Sequence, residues 1–270
     1  MIMEIKVVVI TGASSGIGLA CAKKFYHEGY HVVVTGRDEK RLQDAITGLP
    51  NYPNKILPLV ADVSSEVDCR RVMEETINKF GRIDILINNA GVSMRALFND
   101  SSLDVIRKVM DTNFWGAVYC TKYALPSILE NKGSVVGVSS IAGKKGLPGR
   151  TGYSSSKFAL EGFLETLRTE NIKKGLHVLV ACPGFTASSI RHSALSADGT
   201  VQGESPRNEQ KMMSAEKVAA EIFIAVKKRK RDLILTFNGK LTVFLNKIIP
   251  AWLDKIVFNH MAKEPDSPFK

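Results

Sequence analysis

The chain has 270 residues, a formal charge of +10 and 44% hydrophobic side chains. That length suits a single α/β domain with insertions, large enough to bury its core without disulfides or metal. Cys21, Cys69, Cys120 and Cys182 are scattered, with no Cys-x-x-Cys pair and no His at ligand spacing, which argues against structural zinc and a disulfide framework. Reduced, buried thiols in a reducing, cytoplasmic setting are expected instead.

In chain order, Ile5–Ile10 runs straight into a glycine-rich segment, so it is expected to be a core strand and not a cleaved leader. Short apolar runs then alternate with amphipathic stretches. The strands are predicted at Val7–Ile10, His31–Thr35, Ile56–Ala61, Ile83–Asn88, Ser134–Val138, Val178–Ala181 and Leu233–Thr236. Helices are predicted at Ile17–Glu28, Asp38–Thr47, Glu66–Phe80, Leu103–Leu129, Tyr153–Lys173 and Ala215–Lys228. Continuous apolar strands separated by helices imply a parallel sheet covered on both faces. Residues 1–238 are read as one catalytic domain and 239–270 as an amphipathic tail. The polar, weakly periodic stretch 187–213 is read as a substrate loop or lid.

Two constellations carry chemistry. Thr11-Gly12-Ala13-Ser14-Ser15-Gly16-Ile17-Gly18 follows a predicted strand and opens a predicted helix, the context of a dinucleotide cradle. Gly12 and Gly16 would let the backbone approach a pyrophosphate, and Gly18 would let helix and strand pack closely. Tyr153 and Lys157 lie four residues apart, which places phenol and ammonium on one helix face. A positive charge beside a phenol favours its ionised form, so a lowered tyrosine pKa is predicted. At the second strand's end the chain reads Val34-Thr35-Gly36-Arg37, a guanidinium where NAD-binding sheets place a carboxylate. Arg37 can grip a 2′-phosphate, and Asp38 is assigned to capping the next helix, so NADP(H) is favoured.

On these residues the chain resembles the short-chain dehydrogenase/reductase family over about residues 5–236. Thr11–Gly18 matches its glycine motif, Asn88-Asn89-Ala90-Gly91 its Asn-Asn-Ala-Gly motif, and Pro183-Gly184 its Pro-Gly motif. Asn113, Ser140, Tyr153 and Lys157 fall where its catalytic tetrad falls. The resemblance implies a doubly wound Rossmann domain with seven parallel strands in the order 3-2-1-4-5-6-7. It implies Tyr153 as general acid and base, and Ser140 as hydrogen-bond donor to the substrate oxygen. Lys157 would hold the nicotinamide ribose, and Asn113 would shape a helix kink and a proton relay. Ser139 is a rival to Ser140, but the 13-residue spacing from Ser140 to Tyr153 is the family's. The cofactor residues implied are Gly12, Ser14, Ser15, Gly16, Ile17, Gly18, Arg37, Asp62, Val63, Asn89, Ala90, Gly91, Tyr153, Lys157, Pro183, Gly184 and Thr186, with no metal. Ser15 departs from the second cation that many NADP-preferring members carry, so the preference is expected to be less strict.

The expected activity is hydride transfer between NADP(H) and a ketone or aldehyde and its alcohol. Ser139–Lys144 is similar to the corresponding stretch of membrane-associated hydroxysteroid dehydrogenases, which points to a lipid-like substrate. A homodimer or homotetramer is implied by the resemblance. A non-catalytic NADPH-binding sensor or scaffold is the rival from another class, and the intact Ser140, Tyr153 and Lys157 argue against it. The basic run Lys227–Arg231 suits nucleic acid or anionic membrane, but a solvated helix end is favoured, since no aromatics interleave it. Strand-end Asp62 can equally cap a turn, His192 is expected in solvent, and Trp115 is expected in the core. In the tail, Leu241, Phe244, Leu245, Ile248, Ile249, Trp252, Leu253, Ile256 and Val257 predict two amphipathic helices bent at Pro250. Their apolar face must cover the domain itself, a second subunit or a membrane surface.

Overall fold

Val7–Ile10 (β1) has no solvent exposure on either side, so helices must cover both faces of the sheet it centres. A computed structural model describes residues 5–47, 49, 55–186, 190–203, 212–264 and 267–269. The other strands are His31–Gly36 (β2), Ile56–Val60 (β3), Ile85–Asn88 (β4), Ser134–Val138 (β5), His177–Cys182 (β6) and Asp232–Ile234 (β7). All pair in parallel in the order β3-β2-β1-β4-β5-β6-β7, as expected. The order reverses between β1 and β4, which opens a crevice at their carboxyl ends where ligands of such sheets bind.

Alternation within each strand feeds two cores. Val8 and Ile10 point to Gly16–His27 (α1), Glu39–Ile46 (α2) and Ala215–Lys227 (α7). Val7 and Val9 point to Glu66–Phe80 (α3), Gly116–Glu130 (α5) and Thr151–Glu170 (α6). Asp38 caps α2 by accepting from Arg41 N at 2.9 Å, as its position predicts. The four cysteines are free and buried.

Two expectations need correction. Leu103–Leu129 is not one helix: Leu103–Met110 (α4) and α5 are separated by a π-helical turn, Asp111–Trp115. The cause is Asn113, whose Oδ1 accepts from Val92 N (2.8 Å) while its Nδ2 donates to Val92 O (2.9 Å). A side chain tied to a neighbouring loop at both atoms widens the helix at that turn. Trp115 is not in the core either. It is 43% exposed and stacks on Tyr119 with ring centroids 5.7 Å apart.

The tail forms the two predicted helices, Phe237–Ile248 (α8) and Pro250–Ala262 (α9), with Pro250 in the first turn of α9. They lean on the segment after β5. Asn246 Nδ2 donates to Lys144 O at 3.0 Å, Lys145 pairs with Asp254, and Gly239 lies against Ile141. Farther on, Arg95 pairs with Glu264 at 3.5 Å, both side chains buried. Leu253 and Met261 are buried, whereas Phe237, Phe244, Ile248 and Trp252 stay 56–79% exposed. The tail therefore covers its own domain with one edge and presents apolar side chains with the other. The basic run is exposed at the end of α7, as expected, with two arginines tied back: Arg229 donates to Lys132 O and Gly175 O, and Arg231 pairs with Glu165 at 2.6 Å. Of the expected loop 187–213, residues 187–189 and 204–211 lie outside the described residues.

Candidate active site

The glycine-rich segment forms the turn from β1 into α1. Gly12 and Gly16 have φ of +64° and +54°, a region that side chains disfavour. At Gly18 a Cβ would stand 2.4 Å from Gly12 O and 2.5 Å from Asn89 Nδ2, so the close approach needs glycine. Asn89 Nδ2 donates to Thr11 O (2.9 Å) and Gly12 O (3.0 Å), while Asn89 N and Ala90 N donate to Thr11 Oγ1 (both 3.0 Å). The Asn-Asn-Ala-Gly segment after β4 thus acts first as a brace for the cradle. Ser15 precedes α1 in extended conformation, Ile17 is half-buried in its first turn, and no carboxylate stands there to oppose an anion.

The rim of the cradle is formed by the neighbouring strand ends. Ser14 lies against Gly36, the last residue of β2, and the exposed Arg37 follows. Asp62 Oδ1 accepts from Ser64 N (2.9 Å) and Ser64 Oγ (2.7 Å), the turn-capping role weighed for it. Val63 is buried against Gly116. On the far side, Pro183 and Gly184 follow β6, and Thr186 Oγ1 donates to Gly184 O at 3.1 Å. All of these residues follow the carboxyl ends of their strands, on the side where the crevice between β1 and β4 opens.

Helix α6 brings Tyr153 and Lys157 to the turn that follows β5. Ser140 stands beside the Tyr153 phenol, where it acts to lower its pKa, and its Oγ accepts from Ala142 N at 3.1 Å. Ser139 instead donates to Glu161 Oε1 at 2.6 Å. Lys157 Nζ is buried, donates to Val138 O at 2.9 Å and lies 5.8 Å from the Tyr153 ring centroid. Asn113 Nδ2 reaches Ser156 Oγ at 2.9 Å, and Gly91 has Asn113 Oδ1 and Lys157 Nζ directly over its Cα. Asn113, Ser140, Tyr153 and Lys157 thus converge as expected.

The protonation picture differs from the sequence-based expectation. Burial pushes the Tyr153 phenol above its ordinary pKa, against the opposing Ser140 hydroxyl and the Arg150 and Arg191 guanidiniums. Burial also lowers Lys157 to about 8, with Cys182 and Glu161 acting the other way. Helical spacing gave the proximity of the two groups but not the desolvation, which is the larger effect on both.

Three contributors were missed in the sequence. Arg150 donates to Ser93 Oγ at 3.1 Å, and Arg191 donates to Thr186 O at 2.6 Å; both are buried near Tyr153. Glu161 stands one turn beyond Lys157, so i+4 spacing could have flagged it. The arginines left no such mark, because only the folded loops bring them to the tyrosine. His192 is exposed, as expected.

The family model for short chain dehydrogenases matches residues 6–199. Dehydrogenase/reductase SDR family member 7B of Xenopus laevis is 38% identical over 257 residues, spanning 92% of this chain and 80% of that protein. A short-chain dehydrogenase from Streptomyces avermitilis shares the fold with a TM-score of 0.81 at 28% identity, covering 98% of this chain and 100% of that one. A Burkholderia phymatum short chain dehydrogenase/reductase, solved in complex with NAD, also gives 0.81, at 24% identity and 93% and 96% coverage, a likeness of fold alone. With the sheet order, the braced glycine turn and the converging Ser, Tyr and Lys already in place, these matches assign the chain to a family: it belongs to the short-chain dehydrogenases.

Proposed function

We propose that the protein is an NADP(H)-dependent oxidoreductase that interconverts a ketone or aldehyde and its alcohol, with Tyr153 as general acid and base. Oxidoreductase chemistry on a carbonyl/alcohol pair, with NAD or NADP, is supported by family membership. The observation that carries the finer reading is the buried Lys157 Nζ standing 5.8 Å from the Tyr153 ring centroid on the same helix, with Ser140 beside the phenol.

The cradle fits a dinucleotide: it has two positive-φ glycines, a third with no room for a Cβ, and a helix N-terminus without a carboxylate. Gly12, Ser14, Ser15, Gly16, Ile17 and Gly18 would hold its phosphates and Arg37 a 2′-phosphate. Asp62, Val63, Asn89, Ala90 and Gly91 would line the adenine and ribose side, and Pro183, Gly184 and Thr186 the nicotinamide side. When bound, the cofactor supplies or accepts the hydride. In the reductive direction Tyr153 delivers a proton to the carbonyl oxygen, and Ser140 stabilises the charge that develops there. Lys157 holds positive charge beside the tyrosine as its proton leaves, and Asn113 holds the π-helical turn against Val92. Residues 1–238 carry this chemistry in a reducing, cytoplasmic setting.

The tail favours a lipid-like substrate and peripheral membrane contact. Phe237, Phe244, Ile248 and Trp252 are exposed, and Lys240, Lys247 and Lys255 share their helices. Among the described residues no helix is long and apolar enough to cross a membrane. A homodimer or homotetramer would cover further exposed apolar side chains such as Phe158. Two experiments test this reading. A panel of ketones and aldehydes, followed by NADPH absorbance, should give turnover, and no turnover on any of them would overturn the assignment. Full-length protein should float with anionic liposomes and a form lacking residues 240–270 should not; equal behaviour would remove the lipid contact.

A further inference from the structure

A buried carboxylate joins two parts of the site and has no place in the chemistry above. Glu161 lies on α6, two turns after Tyr153 and one turn after Lys157, with its side chain 11% exposed. Its Oε1 accepts from Ser139 Oγ at 2.6 Å and from Cys182 Sγ at 3.4 Å, and its Oε2 pairs with Lys144 Nζ at 2.6 Å. Ser139 and Lys144 are the two ends of the turn that carries Ser140. The turn is built around this contact: at Gly143 a Cβ would stand 2.4 Å from Glu161 Oε1 and 2.5 Å from Ser139 Oγ. Only glycine there lets the carboxylate reach both ends.

We propose that Glu161 is a positioning residue: it clamps the Ser140 turn onto the helix bearing Tyr153 and Lys157, and it sets its negative charge one turn from the Lys157 ammonium. The clamp acts through Ser139 and Lys144, and Glu161 is not placed at the reacting atoms. The charge acts along the helix, one turn away. The groups facing Lys157 are Tyr153 and Glu161 on α6 and Cys182 on β6; those facing Glu161 are Ser139, Lys144 and Cys182. Lys157 is lowered to about 8 by burial, with Cys182 and Glu161 working against the shift. Removing the Glu161 charge therefore moves the loss of the ammonium to lower pH.

The inference rests on Ser140, Tyr153 and Lys157 being the reacting set, so Tyr153→Phe is measured in parallel. Rates of NADPH oxidation with an accepted carbonyl are followed against pH for wild type, Glu161→Gln, Glu161→Ala and Lys144→Met. Glu161→Gln keeps an acceptor for Ser139 but no charge. Its alkaline limb should fall by about half a pH unit, below the 1–3 units of a charge at closest range. Glu161→Ala also frees the turn, and its kcat should fall about ten- to hundredfold with KM for NADPH unchanged. Lys144→Met leaves the carboxylate charged and should not lower the limb. If Glu161→Ala fails to fold, Glu161→Gln decides. A wild-type limb in Glu161→Gln, or the same downward shift in Lys144→Met, overturns the proposal while leaving the site intact if Tyr153→Phe is inactive. An active Tyr153→Phe overturns the reading of the site itself.

Discussion

The two ends of the crevice are built differently. The cofactor end is made of strand termini and the turns that leave them, and each part is contiguous in sequence: Thr11–Gly18, Gly36-Arg37, Asn88–Gly91. Its glycines are required by backbone distances, as at Gly18, and its brace is a short set of hydrogen bonds from Asn89 and Ala90 to Thr11 and Gly12. The substrate end is assembled from segments far apart in the chain. The turn after β5 meets α6 through Glu161, Arg95 meets the tail through Glu264, and Pro268 and Phe269 stand over Gly149. A sheet edge gives the first end little freedom. The second end depends on side-chain clamps.

The sharpest way to break the cofactor end alone is Gly18→Ala. Its methyl would meet backbone Gly12 O, which cannot swing aside, and Asn89 Nδ2, a side-chain tip held by its bonds to Thr11 O and Gly12 O. NADPH affinity by fluorescence titration should fall about hundredfold, the size expected when a built site is displaced by about 1 Å. Binding at wild-type strength would show that the cradle is looser than its geometry.

Lys157→Met probes the junction of the two ends through stability. The lysine is lowered from 10.5 to about 8 in the fold, so the folded state prefers it neutral. The native protein then binds fewer protons than the unfolded chain between pH 8 and 10.5, and wild-type stability gains over that window as pH rises. At neutral pH the buried ammonium costs about 3 kcal/mol. Lys157→Met should be more stable than wild type at pH 7 by up to about that amount, and the advantage should vanish near pH 10.5. Denaturant midpoints at several pH values check it, and a variant less stable at every pH would contradict it.

A smaller effect separates the cofactors. Arg37→Ala should raise KM for NADPH about ten- to hundredfold, a lost charge-assisted phosphate contact, and leave KM for NADH nearly unchanged. Equal changes for both would mean that Arg37 does not read the 2′-phosphate.

The same contrast explains what the sequence disclosed. Strand order, the glycine turn and the converging Asn113, Ser140, Tyr153 and Lys157 were legible because each is carried by a local pattern or a family motif. Asp38 was legible as a cap because capping is decided within four residues. Asn113 was legible as a kink, but the extent of the interrupted helix was not, since the bond to Val92 is a tertiary contact. The rise of the Tyr153 pKa was hidden for a related reason: spacing reports neighbours, while desolvation depends on everything packed above them. The tail's helices were readable from periodicity, yet which side chains they cover depends on the shape of the 141–150 segment.

Tyr153 is proposed to transfer the proton in a site whose cofactor end stands without it. Tyr153→Phe removes one oxygen and keeps the ring packed against the apolar cluster that includes Val92, Met94 and Val105. Turnover with NADPH and an accepted carbonyl should fall by about 10²–10⁴-fold, while NADPH affinity stays at the wild-type value. Near-wild-type turnover in that variant would contradict the account.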